Sequence, residues 1–245
     1  VMMTDNKSGK RVIAAIDPVV GGAGGMPHAD GPDGSGADAS YLKNTPVELI
    51  EAEVPIEIVR YGLAPDSGGA GENRGGLGTW LEFKVFSPGT RITARNRDRT
   101  RFQPWGILGG KAGRPSNFIR NPDTPKEEVL GNQDTLTAEP GDVIRFYGPG
   151  GGGRGNPLDR AAGRVLRDVE RGALSLQAAQ ADYGVVIAEG AVDESATVAL
   201  RDKMRAGQNG DAHFDFGPER EDYERRWTPE AYNAMSAIME SLPVH

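Results

Sequence analysis

The stretch YGPGGGGRGNPLDR, Tyr147 to Arg160, places five glycines in the six positions Gly150 to Gly155. The residue pattern changes across it. Before it, in VIRFY (Val143 to Tyr147), the pattern is that of a strand; after it, from Asn156, apolar residues recur at helical spacing. Asn156 suits an N-cap, Pro157 the first helical position, and Asp159 the electropositive first turn. The glycines spell GxGxxG twice, as Gly148, Gly150, Gly153 and as Gly150, Gly152, Gly155, between a strand and a helix, the context of a dinucleotide-binding turn. The register argues against that turn, because the helix starts only after the last glycine and two helices precede the next strand. Neither GKS nor GKT follows, so a P-loop is excluded. Two readings stand, a close backbone crossing and an anion-binding nest.

Working outward, Val20 to Ser40 (VGGAGGMPHADGPDGSGADAS) has no apolar periodicity and reads as a long functional loop. PVELIEAEVPIEIVRYGLAP reads as two strands broken near Pro55, and DSGGAGENRGGLG as a second glycine-rich loop. TWLEFKVF and TRITARNRDRTRF read as a hairpin joined by SPGT, with Pro88-Gly89 at the centre of a type II turn. On the C-terminal side, Val165, Leu166 and Val169 form a buried stripe closed by Gly172. SLQAAQADYG repeats the logic between Ser175 and Gly184, and YGVVI is a short strand. DESATVALRDKMRAG is a helix capped by Asp193 or Ser195, with Val198, Met204 and the alanines facing inward. TPEAYNAMSAIMESL is a last helix with Thr228 as cap and Pro229 in its first turn. Strands come first and helices last, the α+β order. A β-rich core over 1–155, with sandwich- or barrel-like sheets and long glycine-rich loops, is followed by a helical region over 156–245 packed on it as one domain.

The composition bounds the chemistry. With 245 residues the chain can bury a substantial core, and 37% apolar residues with a mean hydropathy of -0.49 fit a soluble globular protein rich in turns, given 35 Gly and 17 Pro. A net charge of -7 argues against nucleic acid or an anionic membrane as partner. The absence of cysteine excludes disulfides, thiolate metal sites and Cys nucleophiles, and fits a cytoplasmic location. There is neither an apolar run long enough to cross a membrane nor the residue order of a signal peptide. The chain opens at Val1 and heads at once into the strand-like RVIAAI, which fits a piece of a longer chain, a processed product or lost initiator residues.

Three sets of residues carry candidate chemistry. Arg91, Arg95, Arg97, Arg99 and Arg101 occupy odd positions and would share one face of a strand, either opposite carboxylates of another element or around an anion. Of the three histidines, His245 is terminal and His213 reads as a surface or interface residue. His28 lies in the first glycine-rich loop with Asp30, Asp33 and Asp38, in no known metal-ligand spacing. His28 and Asp30 are the candidate catalytic pair. Arg95, Arg97 and Arg154, the one charge among the glycines, are the candidate substrate or anion contacts, and no metal ligand is assigned. GxSxG is absent, so a hydrolase nucleophile elbow is excluded.

Taken in order, GGAGGMPHADGPDGSGAD, NTPVELIEAEVPIEIVRYGLAPDSGGAGENRGGLG, RFQPWGILGGKAGRPSN, PGDVIRFYGPGGGGRGNPLDR, VLRDVERGALSLQAAQADYGVVI and FDFGPEREDYERRW resemble the C-terminal half of the hydantoinase B / 5-oxoprolinase family. The resemblance runs from about residue 4 to about 227. It implies a subunit of a hetero-oligomer. An A-type partner with an actin-like ATPase fold would use ATP and Mg to phosphorylate the substrate's carbonyl or enol oxygen. The B-type component would then hydrolyse a cyclic amide such as a hydantoin, 5-oxoproline or a lactam, or carboxylate a ketone as in acetone- and acetophenone-type carboxylases. Phosphorylating an amide oxygen turns a poor electrophile into one with a good leaving group. The family's metal ligands, for a divalent ion such as Zn or Mn, lie in an N-terminal half with no counterpart here. The resemblance therefore implies that this chain binds no metal, is inactive alone, and works with an A-type ATPase subunit and a separate N-terminal B-type polypeptide. A non-catalytic assembly subunit is the alternative of another class.

Overall fold

The structure, a computed structural model, describes residues 1–5, 8–16, 19–35, 45–94, 99–208 and 213–243. Its first ten strands are β1 (Met2–Thr4), β2 (Arg11–Ile13), β3 (Ile56–Leu63), β4 (Thr79–Val85), β5 (Thr90–Thr93), β6 (Gly106–Ile107), β7 (Asn117–Arg120), β8 (Glu128–Val129), β9 (Thr135–Ala138) and β10 (Val143–Tyr147). They form an antiparallel sheet of order β3-β4-β10-β7-β8 and a second of order β2-β1-β5-β9. Both sheets are open and share one core. Leu81, Phe83, Val85, Phe118 and Ile144 of the first pack in one cluster with Met3, Ile92, Leu136 and Ala138 of the second. The fold is α+β with two facing open sheets, and no closed barrel forms.

Three sequence expectations change here. PVELIEAEV is not a strand: Val47–Glu53 form helix α1. Val47, Ile50 and Val54 recur at helical spacing behind Pro46, and Ile50 and Val54 enter the shared core. Pro88-Gly89 does make a turn, with Gly89 at φ +61°, but β4 and β5 do not pair. The turn carries the chain from one sheet to the other. Strand β5 ends at Thr93, and Arg99 adopts φ +58°. Strand alternation therefore does not align Arg91, Arg99 and Arg101.

Beside the sheets, four lengths of backbone with little regular strand structure pack around Gly148–Gly155. The N–H groups of residues 148, 151 and 154 donate to the carbonyls of 79, 76 and 73, and those of 150 and 153 to 114 and 111. The carbonyls of 149 and 152 accept from the N–H groups of 22 and 25. Each series advances by three residues, the repeat of a polyproline-II-type helix, where a strand would advance by two. A threefold thread faces a neighbour on every side. A Cβ added at Gly150, Gly151, Gly152 or Gly153 would lie 1.6, 1.9, 1.8 or 2.1 Å from the carbonyl oxygen of Ser67, Ala23, Trp105 or Ala70. These glycines are required by close approach.

The C-terminal region caps this lattice. After a 3-10 turn at Pro157–Asp159, whose Leu158 N–H donates to Asn156 Oδ1 at 3.0 Å, come α2 (Ala162–Glu170) and α3 (Leu176–Tyr183). Ser175 Oγ accepts the Ala178 N–H at the start of α3, and Gly184 at φ +60° closes it. Val165, Leu174, Ala179, Tyr183 and Val185 pack in a second cluster with Ala70 of the lattice. A short hairpin, β11 (Ile187–Ala188) and β12 (Ala191–Val192), leads to α4 (Glu194–Ala206), capped by Asp193. Thr197 is the buried residue of α4; Val198, expected inside, is 57% exposed. β13 (Phe214–Asp215) pairs with β6 of the lattice, and α5 (Pro218–Arg226) and α6 (Pro229–Ser241) follow, the latter capped by Thr228.

Candidate functional site

The predicted pair His28 and Asp30 sits on the turn Met26–Asp30, which leaves the lattice beside Gly25. The Met26 N–H donates to the Ala29 carbonyl at 2.9 Å, closing the turn. The Asn73 amide holds it from below, with Nδ2 donating to the Met26 and Pro27 carbonyls at 2.9 and 3.3 Å. His28 is exposed at the apex, and no hydrogen bond joins its ring to the other described residues.

Asp30 closes the other end and is occupied on both oxygens. Arg160 grips it in a fork, Nη1 to Oδ1 at 2.6 Å and Nη2 to Oδ2 at 2.8 Å. Arg164 Nη2 and the Arg74 backbone N–H both donate to Oδ1, at 2.9 and 2.8 Å. Burial pushes the Asp30 carboxyl up, but the Arg160 hydrogen bonds and charge, the Arg74 N–H and the Arg164 charge outweigh it, leaving the pKa lowered to about 2. An anion this firmly held is a poor proton acceptor at neutral pH. Its place in the geometry is that of an anchor.

The clamp comes from the helical region. Arg160 follows the 3-10 turn, and its side chain, 1% exposed, also donates to Asp168 at 2.7 Å and to the Glu72 carbonyl at 3.0 Å. Burial works to lower the Arg160 pKa, but its hydrogen bond to Asp30 and the charges of Asp168 and Asp30 raise it, so it stays a cation. Arg164, one turn into α2, adds a 3.3 Å contact from Nη1 to Asn73 Oδ1. Arg74 pairs with Asp33, which also accepts the Leu77 N–H. Three arginines thus face Asp30, Asp33 and Asp168, and the cluster is balanced in charge. Sequence reading missed Arg160, Arg164 and Arg74, because the partners of the first two lie 130 and 134 residues away. A helical spacing of four between Arg160 and Arg164 was the available signal.

Of the predicted anion contacts, Arg154 exchanges both backbone hydrogen bonds with Asn73, at 3.0 Å each. Residues paired this way send their side chains to the same side, and the Arg154 Cβ lies 3.2 Å from where a Gly25 Cβ would stand. Its guanidinium makes no hydrogen bond or ion pair with the described residues. Arg95 and Arg97, like Asp38, lie outside those residues. Arg99 and Arg101 face rings, with guanidinium carbons 5.1 Å from the Trp105 centroid and 5.2 Å from that of Phe102. His213 is exposed, and its carbonyl accepts the Leu108 N–H.

The turn presents one exposed imidazole, a group that can exchange a proton, and the Arg154 backbone packs against Gly25, the residue before the turn; a guanidinium can hold a carboxylate or phosphoryl group. The glycine thread is not a nucleotide cradle, since its N–H groups at 148, 150, 151, 153, 154 and 155 are spent on backbone carbonyls. No three His, Asp or Glu side chains among the described residues are placed to hold a metal ion, so no step through a metal is assigned to them. No helix among these residues is long and apolar enough to cross a membrane.

Most of the chain is similar to known proteins. The chain is 36% identical over 208 residues to the caprolactamase subunit beta of Pseudomonas jessenii, a match covering 80% of this chain and 35% of that one. The crystal structure of the ATP-dependent caprolactamase from Pseudomonas jessenii superposes with a TM-score of 0.61 at 32% identity, over 82% of this chain and 36% of that chain. The nucleotide-free structure of an acetone carboxylase superposes with a TM-score of 0.64 over 77% of this chain and 30% of that one, and at 22% identity it shows the shared fold alone. The chain thus spans about a third of the length of these relatives. Residues 1–157, which hold both sheets and the whole glycine thread, match the family described as Hydantoinase B/oxoprolinase, and the chain belongs to that family.

Proposed function

We propose that this chain is the C-terminal B-type component of an ATP-dependent cyclic-amide hydrolase. The observation that carries the reading is the 36% identity over 208 residues to a caprolactamase beta subunit, since a lactam is a cyclic amide. In this reading an A-type partner binds ATP and Mg and phosphorylates the amide oxygen. Water then opens the ring, with loss of phosphate. An N-terminal B-type polypeptide supplies the divalent metal, and the assembly works in the cytoplasm. His28 transfers a proton, and Arg154, with Arg95 and Arg97, holds the anionic group. Asp30 serves by placement.

The test is to assemble the chain with its co-purifying partners and supply ATP with hydantoins, 5-oxoproline and lactams. Phosphate released in step with ring opening is the expected result. Phosphate released only with a ketone and bicarbonate would establish a carboxylase instead, and none with either class would overturn the reading. A purely structural subunit would leave turnover unchanged when His28, Asp30 and Arg154 are replaced one at a time in an intact complex.

A further inference from the structure

We infer that Arg160 and Arg164 are positioning residues, which act through Asp30 and Asn73 to fix the turn Met26–Asp30 and so place the backbone from which the imidazole of His28 projects. The use made of His28 rests on the function proposed above; the clamp itself rests on geometry alone.

The turn is restrained at both ends by one residue of α2. Arg164 touches Asp30 with Nη2 at 2.9 Å and Asn73 with Nη1 at 3.3 Å, and Asn73 in turn carries the carbonyls of Met26 and Pro27. Arg160 grips both oxygens of Asp30 from a site almost sealed from water. A buried ion network adds little over apolar packing of the same shape, but it holds its members in one arrangement, and here that arrangement includes the turn. Between the restraints stands one titratable group, His28, exposed and without a hydrogen bond to the described residues. A turn anchored by a carboxylate with four donors fixes the backbone that carries such a ring, and so the volume within which the ring can reach a substrate.

The test uses the assembled complex and two readouts. His28, His213 and His245 are the chain's histidines, so ring signals of the histidine-labelled chain within the complex can be assigned by replacing each in turn. Arg164→Ala, at a half-exposed position, and Asp30→Asn should increase the motion of the His28 ring and leave His213 unchanged; an unchanged His28 signal in both variants overturns the inference. For turnover, His28→Ala should lower kcat about 100-fold, within the range for a lost general acid or base, and Arg164→Ala about 10-fold with KM little changed. The double variant should be no slower than His28→Ala alone, and Arg164→Lys should recover some of the loss. Additive losses, or wild-type kcat in His28→Ala, would show that the clamp serves folding and not His28. A wild-type complex without ATP-dependent ring opening would remove the function proposed above, and the ring-motion readout would still decide whether the clamp positions His28.

Discussion

Gly151 and Gly163 show how different two glycines of one chain can be. Gly151 faces the Ala23 carbonyl, where a methyl group would stand 1.9 Å from oxygen, and the contact is backbone on backbone. Gly151→Ala must push neighbouring threads apart, and the expected loss is about 3 kcal/mol or more, read as a lower denaturation midpoint. Gly163 lies in the first turn of α2 with nothing within 4 Å of an added Cβ, so Gly163→Ala should raise stability by about 0.5 kcal/mol. Asp30 gives a pH dependence with a definite sign. Its carboxyl falls from an ordinary value near 4 to about 2 on folding, so its contribution, on the order of 2 kcal/mol, is complete above pH 4 and fades as the pH drops through 2. Stability measured between pH 2 and 4 should lose that limb in Asp30→Asn.

At the scale of elements, the predicted caps Ser175, Asp193 and Thr228 start their helices, whereas Asn156 caps only a 3-10 turn and α2 starts at Ala162 without a side-chain cap. Asn156, Ser175, Asp193 and Thr228 each accept a backbone N–H as caps. Ser175→Ala should cost about 1 kcal/mol in chemical denaturation. Arg160 joins the 3-10 turn and α2, through Asp168, to a loop early in the chain. Arg160→Ala takes the cation from the buried Asp168 and two of the four donors from Asp30, and should cost about 3 kcal/mol, several times the loss from Ser175→Ala. The strands show a related dependence on distant partners. Glu82 and Arg145 face each other across β4 and β10 at 2.6 Å, both nearly buried, which lets two charges occupy the middle of a sheet.

Across the whole molecule, two cores are joined by a polar backbone lattice. One lies between the sheets and the other beneath α2 and α3, with Ala70 of the lattice as a member of the second. Hydrogen exchange should therefore show the amides of Gly151 and Gly153, which belong to no strand, opening together with those of β10 at the global unfolding free energy. Faster exchange of the thread than of β10 would show that the lattice opens by itself.

What the residues could determine alone was local: the caps Asn156, Ser175 and Thr228, the stops Gly172 and Gly184, the turn at Gly89 and the order of strands before helices. Each depends on chemistry within a few positions of itself, so the sequence carries it in full. The long glycine stretch was legible as a place of close approach. What it approaches was decided by four segments from far along the chain, because a threefold thread takes its hydrogen bonds from other backbones. The same reason hid the clamp on Asp30. A carboxylate near residue 30 becomes an anchor only when folding brings Arg160 and Arg164 to it, and no local pattern records an ion pair spanning more than half the chain.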